Sequence, residues 1–79
     1  CAAPIVLAEA NLISKKRITA HPSVKERLIN AVYTGSMTEI DGNTITGKGP
    51  GAAVEFSLKI ATALGVERDA KTLIKQMFF

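Results

Sequence analysis

Cys1-Ala2-Ala3-Pro4-Ile5-Val6-Leu7-Ala8-Glu9-Ala10 is the stretch on which the reading of the fold turns. Pro4 has the fixed φ and missing N–H that suit a first helical position, so the chain's only cysteine stands at the mouth of a helix. A helix N-terminus carries roughly +0.5 of an elementary charge and a set of unpaired N–H groups, which favours a thiolate over a thiol. Cys1 is therefore the candidate nucleophile. The competing reading of the same residues is a small buried hydrophobe ahead of an apolar helix.

Outward from this stretch, the first helix should fade near Asn11-Leu12-Ile13, and the basic turn Ser14-Lys15-Lys16 leads into a β-type run, Arg17-Ile18-Thr19-Ala20. His21-Pro22 ends that run, because a residue before proline is pushed to extended geometry, and Pro22 can open a short helix from Ser23 to Ile29. His21 then lies at a strand's C-terminal end. Val32-Tyr33, Met37-Thr38-Glu39-Ile40 and Thr44-Ile45-Thr46 read as strands, with Asp41-Gly42-Asn43 as a tight turn between the last two. The loop Gly47-Lys48-Gly49-Pro50-Gly51 precedes a helix from Ala52 to Leu64. Gly65 is placed to cap it, and a last helix opening at Val66 carries Ala70, Leu73, Ile74 and Met77 on one face.

Alternating helices and strands predict an α/β domain with a mostly parallel sheet, in which binding and catalytic groups gather at the carboxyl ends of strands. Cys1 and His21 both fall there. A nucleophile elbow consists of a strand, a sharp turn and a helix, and here the turn and helix are present without the strand. The expectation is that these residues are the C-terminal part of a larger domain. Composition points the same way. The chain has 79 residues, of which 47% are hydrophobic, and its mean hydropathy is +0.19. The helix from Ala52 is apolar over most of its circumference, which requires cover on more than one side, and so short a chain buries little surface.

A single cysteine excludes an internal disulfide, and one Cys with a His elsewhere is a recognised nucleophile pattern. A chain beginning with Cys also has the form of a lipidated lipoprotein, but such anchors lead into a polar tether and this one leads into a helix. The net charge of +3 is modest, and Lys15-Lys16-Arg17 has no interleaved aromatics, so it reads as a solvated turn and no specific nucleic-acid binding is expected. No run of about 18 apolar residues suggests a membrane span and no basic-then-apolar leader is present. The expected setting is soluble and cytoplasmic.

Cys1-Ala2-Ala3-Pro4, Thr19-Ala20-His21-Pro22, Asp41-Gly42, Thr46-Gly47-Lys48-Gly49-Pro50-Gly51 and Val54-Glu55-Phe56-Ser57-Leu58, in that order and spacing, resemble the C-terminal half of the DJ-one/ThiJ/PfpI superfamily. The resemblance covers essentially the whole chain. It implies a flavodoxin-like α/β sandwich of which this chain is the C-terminal half (residues 1–79), an N-terminal half supplying the early strands, and a homodimer. It maps the reactive cysteine to Cys1, part of an anion or oxyanion site to the N–H of Ala2, the histidine near the thiol to His21, and a pocket-lining loop to Gly49, Pro50 and Gly51. The family's glutamate near the thiol comes from the other half. Glu9, Glu26, Glu39 and Glu55 read as solvated or structural carboxylates.

Protease-like members carry His directly after the cysteine, so Ala2 favours the deglycase, glyoxalase or redox-sensor branch over a cysteine peptidase. The implied chemistry is attack of the Cys1 thiolate on a small aldehyde such as methylglyoxal, giving a hemithioacetal that rearranges to a hydroxy acid, with no metal or cofactor. His21 would orient or shuttle a proton. Without the family, it reads as a structural strand-end His before proline. The alternative is an oxidation-sensing, chaperone-like protein in which Cys1 is oxidised to sulfinic acid and held by helix N-terminal N–H groups.

Overall fold

The computed structural model describes residues 1–78. Helix α1 spans Pro4–Glu9, with Pro4 buried at its first position. It stops earlier than the apolar run suggests because Asn11 takes a left-handed φ of 56°. This lets Leu12 N–H reach Leu7 O at 3.0 Å and Asn11 N–H reach Ala8 O at 3.0 Å. The chain then turns under α1, burying Ile13.

Strand β1 is Arg17–Ile18 and pairs in parallel with β2, Val32–Tyr33. The expected run to Ala20 leaves the ladder after Ile18. The N–H of Thr19 instead donates to Thr46 Oγ1 at 3.0 Å, and the Thr19 hydroxyl donates to the carbonyl of Ser36. Between β1 and β2, Pro22–Arg27 forms a 3-10 helix rather than an α-helix, with its i+3 bonding visible at Val24 N–H to His21 O, 3.1 Å. Ile13, Ile18, Ala20 and Leu28 form the core here, with Leu7, Val24 and Tyr33 packed against it.

Strands β3, Thr38–Asp41, and β4, Thr44–Gly47, make an antiparallel hairpin in the register Asp41↔Thr44 to Thr38↔Gly47. Gly42 opens its turn at a φ of 59°, where any other residue would be strained. The hairpin is tied to the second edge of β1 by side chains: Asp41 Oδ2 accepts from Arg17 N–H at 2.8 Å, two residues before the Thr19 to Thr46 bond.

After β4, a 3-10 turn at Pro50–Ala52 leads into α2, Ala53–Ala63, and then α3, Glu67–Gln76. Gly65, at a φ of 82°, ends α2 as its sequence position predicts. Val66 N–H bonds Ala61 O at 2.9 Å and Gly65 N–H bonds Thr62 O at 3.1 Å, which satisfies the helix's last carbonyls. The α/β class expected from the sequence is the class observed, with one parallel and one antiparallel strand pair among the described residues. Neither α2 nor α3 contains a fully buried residue.

Candidate functional site

Two strand ends hold the main chain of Cys1. The nitrogen of Cys1 donates to the carbonyl of Gly47, the last residue of β4, at 2.7 Å. The carbonyl of Cys1 accepts from the N–H of His21, just beyond β1, at 2.8 Å. Cys1 thus sits at the carboxyl ends of β1 and β4, the place where α/β folds collect reactive groups. Its thiol is exposed and free. Beyond it, the carbonyls of Ala2 and Ala3 accept the first bonds of α1, from Ile5 at 3.1 Å and Val6 at 2.9 Å. Among the described residues, the N–H groups of Ala2 and Ala3 meet no acceptor.

Cys1 opens onto two shallow hollows. One, about 260 Å³, is lined by Cys1, Gly47, Gly49, Pro50, Ala53 and Phe56. The other, about 340 Å³, runs under α1 past Pro4, Val6 and Leu7. Phe56 and Gly47 border both. Space is tight at Gly47: a Cβ on it would lie 3.2 Å from Phe56 Cδ1, so the ring would have to give way. Gly49 and Pro50, singled out by sequence, do line the hollow with Cys1. Gly51 lies instead toward Met37, 3.9 Å from where its Cβ would be. Ala2 and His21 border neither hollow.

His21 is exposed and caps the 3-10 helix that follows it. Its Nδ1 accepts from Ser23 N–H at 3.2 Å and lies 2.8 Å from Ser23 Oγ. The His-Pro-Ser sequence carried this signal, since a side-chain acceptor followed by proline is a helix-opening pattern. None of the carboxylates lines the hollows beside Cys1. Glu39 accepts from Thr34 Oγ1 at 3.0 Å and faces Arg17 Nε at 3.5 Å. Glu9, Glu26 and Glu55 are exposed. No group of three or more His, Cys, Asp or Glu side chains gathers as a metal-binding set among the described residues. None of their helices is long and apolar enough to cross a membrane.

A third hollow, about 400 Å³, lies between α2 and α3 and is lined by apolar groups such as Val54, Leu58, Leu73 and Ile74. It holds no titratable side chain, so it is a packing face rather than a reactive one.

The chain is similar to known proteins. The chain is 44% identical over 77 residues to the protein dj-1beta of Drosophila melanogaster, covering 95% of this chain and 41% of that protein. It is 34% identical over 79 residues to the glutathione-independent glyoxalase DJR-1.2 of Caenorhabditis elegans, covering 98% of this chain and 42% of that one. The crystal structure of Drosophila melanogaster DJ-1beta superposes with a TM-score of 0.90 at 41% identity, over 99% of this chain and 43% of the other. The chain therefore spans well under half the length of these relatives. With the cysteine turn, the strand ends and the Gly-Pro loop falling inside residues 1–63, which the model of the DJ-1/PfpI family matches, the chain belongs to that family.

Proposed function

We propose that this chain is the C-terminal, cysteine-bearing half of one domain and that the full-length protein is a glyoxalase or deglycase acting on α-oxoaldehydes or their protein adducts. The observation that carries the reading is the exposed Cys1 thiol, main-chain anchored at two strand ends and opening onto a hollow walled by Gly49 and Pro50. The likeness to a relative named as a glutathione-independent glyoxalase supports it.

In this reading the Cys1 sulfur adds to the aldehyde carbon, and the C=O electron pair moves onto oxygen, where the unpartnered N–H of Ala2 meets the developing charge. The oxygen takes up a proton, giving a hemithioacetal. The proton on the former aldehyde carbon then passes to the neighbouring carbonyl carbon through an enediol, which leaves a thioester beside an alcohol. Water cleaves the thioester, releasing a hydroxy acid and restoring the thiol. No external oxidant is consumed, because one carbon is oxidised as its neighbour is reduced. His21, whose main-chain N–H bonds the carbonyl of Cys1, is assigned the task of orienting or shuttling a proton. A cytoplasmic homodimer with a small aldehyde as substrate completes the proposal.

The exposed thiol and free amides also suit a second reading, a redox sensor in which peroxide oxidises Cys1 to a sulfinate. Turnover separates the two. Steady conversion of methylglyoxal to lactate by the full-length protein, abolished in Cys1→Ala, is the expected result. A protein that gains two oxygens at Cys1 under mild peroxide but converts no aldehyde would establish the sensor instead.

A further inference from the structure

We propose that Thr46 is a positioning residue for the Cys1 site: its hydroxyl oxygen, by accepting from the N–H of Thr19, sets the separation of the two strand ends that hold the main chain of Cys1. The effect on turnover rests on the glyoxalase reading above; the effect on the anchorage of the cysteine does not.

Cys1 is held at two points, its nitrogen donating to Gly47 O at 2.7 Å and its carbonyl accepting from His21 N–H at 2.8 Å. The two anchors come from different parts of the chain, so both bonds keep their length only if the anchors keep their distance from each other. Among the described residues, a single hydrogen bond joins residues 19–21 directly to residues 44–47, the one from Thr19 N–H to Thr46 Oγ1 at 3.0 Å. Thr46 immediately precedes Gly47, and Thr19 stands two residues before His21. Three hydrogen bonds thus close a ring that runs from Thr19 along the chain to His21, across to Cys1, across to Gly47, and back through Thr46. Two of these links are main chain to main chain. The third ends on a side-chain oxygen, and it is the one that a substitution can delete.

Thr19 and Thr46 are both buried, so water does not compete for the bond between them. Thr19 is also fixed on its other side, where its hydroxyl donates to the carbonyl of Ser36. Thr46 is fixed by its register opposite Glu39 in the hairpin, and it lines the hollow under α1 together with Cys1 and Pro4. Without the Thr46 oxygen, the buried N–H of Thr19 has no acceptor, and the strand ends must part to admit water to it. Cys1 then cannot keep both anchors at bonding length. Its shift changes where the sulfur stands relative to the unpartnered N–H groups of Ala2 and Ala3, which a reacting oxygen would use. Displacement of a reacting group by about 1 Å can cost roughly 10²-fold in rate.

The test uses the full-length protein, in which Cys1 carries a peptide N–H, and reads native-state amide exchange by NMR beside steady-state kinetics. In the wild type, the amides of Cys1, Thr19 and His21 should exchange through one shared opening, with equal free energies and denaturant slopes. Thr46→Val keeps the shape and deletes the acceptor. Protection of the Cys1 and His21 amides should then fall at least tenfold more than that of Val32, whose N–H bonds Lys16 O outside the ring. For methylglyoxal, kcat should fall several-fold at nearly unchanged KM, and Thr46→Ser should restore both readouts. Gly65→Ala, strained at a φ of 82° with nothing within 4 Å of its Cβ, supplies a destabilised protein with the ring intact and should change neither. A Thr19 amide that exchanges independently of Cys1 and His21 in the wild type overturns the proposal without any variant having to fold, and so does uniform loss of protection in Thr46→Val. Selective loosening with kcat unchanged in an active protein, or an equal loss of kcat in Gly65→Ala, overturns the positioning role in the reaction. An inactive wild type whose Cys1 and His21 amides loosen in Thr46→Val is a failure of the glyoxalase reading and leaves the anchorage standing.

Discussion

The N–H of His21 donates to the carbonyl oxygen of Cys1 at 2.8 Å, so the residue that leaves β1 and the residue that carries the thiol are joined main chain to main chain. Gly47 accepts from the nitrogen of the same cysteine at 2.7 Å. Neither bond uses a side chain, so the turn at Cys1 is set by where the two strands end. Side-chain substitutions nearby that spare the Thr19 to Thr46 bond should therefore perturb chemistry or packing while leaving the thiol in place.

This separation can be tested at His21. Replacement by Ala keeps the N–H to Cys1 O but deletes the acceptor that caps the 3-10 helix, which should cost about 1 kcal/mol of stability. Asn can cap in the same position, so His21→Asn should recover most of that loss. Neither variant supplies an imidazole donor, and both should lose roughly 10²-fold in methylglyoxal turnover. Urea unfolding and steady-state kinetics on the same pair of full-length variants check both halves. Recovery of activity in the Asn variant would make His21 a purely structural cap.

At Gly47 the limiting factor is space, not backbone conformation. A Cβ would stand 3.2 Å from Phe56 Cδ1 and 3.4 Å from Phe56 Cγ. Gly47→Ala should destabilise the protein by about 1–3 kcal/mol through overpacking. Phe56→Leu shrinks the wall, so the double variant should be less destabilised than the two single costs sum to. Strict additivity in a double-mutant cycle would show that the pair does not touch.

Much of this was readable from the chain, and the boundary of what was readable has a physical cause. Pro4 opening α1, Gly42 in the hairpin turn and Gly65 ending α2 are each decided by the residue's own backbone preferences, and each stands where the sequence places it. The early stop of β1 was not readable. It depends on Thr19 bonding Thr46 and Ser36, 27 and 17 residues away, and local propensity contains nothing about those partners. The same holds for Phe56, whose ring borders both hollows beside Cys1 although its position on α2 reads only as an apolar stripe. The family resemblance pointed to Cys1, His21 and the Gly49-Pro50-Gly51 loop, but it could not point to Ser23, whose N–H and hydroxyl meet His21 Nδ1 within the same turn.

Arg17 offers a check on charge. Its guanidinium lies 3.5 Å from Glu39 and 3.9 Å from Asp41, and its Nη2 donates to Ile40 O at 3.0 Å, yet its side chain is 58% exposed. Pairs this open to water contribute little, so Arg17→Ala should cost about 0–1 kcal/mol, and the difference from wild type should shrink further as salt is raised. A loss well beyond that in urea titrations would mean that the ion pairs hold the hairpin to β1.

The neutral bond between Thr19 and Thr46 should matter more than those charges. Thr19 N–H donates to Thr46 Oγ1 at 3.0 Å, and both residues are buried, at 0% and 4% exposure. Val at position 46 keeps the shape but removes the acceptor, leaving a buried amide that has exchanged water for nothing. The penalty is the desolvation of that group, about 1–3 kcal/mol. Thr46→Ser retains the oxygen and loses only a methyl, so it should fall nearer wild type. In urea unfolding of the full-length protein, Thr46→Val should lower the midpoint with an unchanged slope, because the surface exposed on unfolding is the same. A Val variant as stable as wild type, with Ser the weaker of the two, would show that the Thr46 methyl and not its hydroxyl holds β1 against the hairpin.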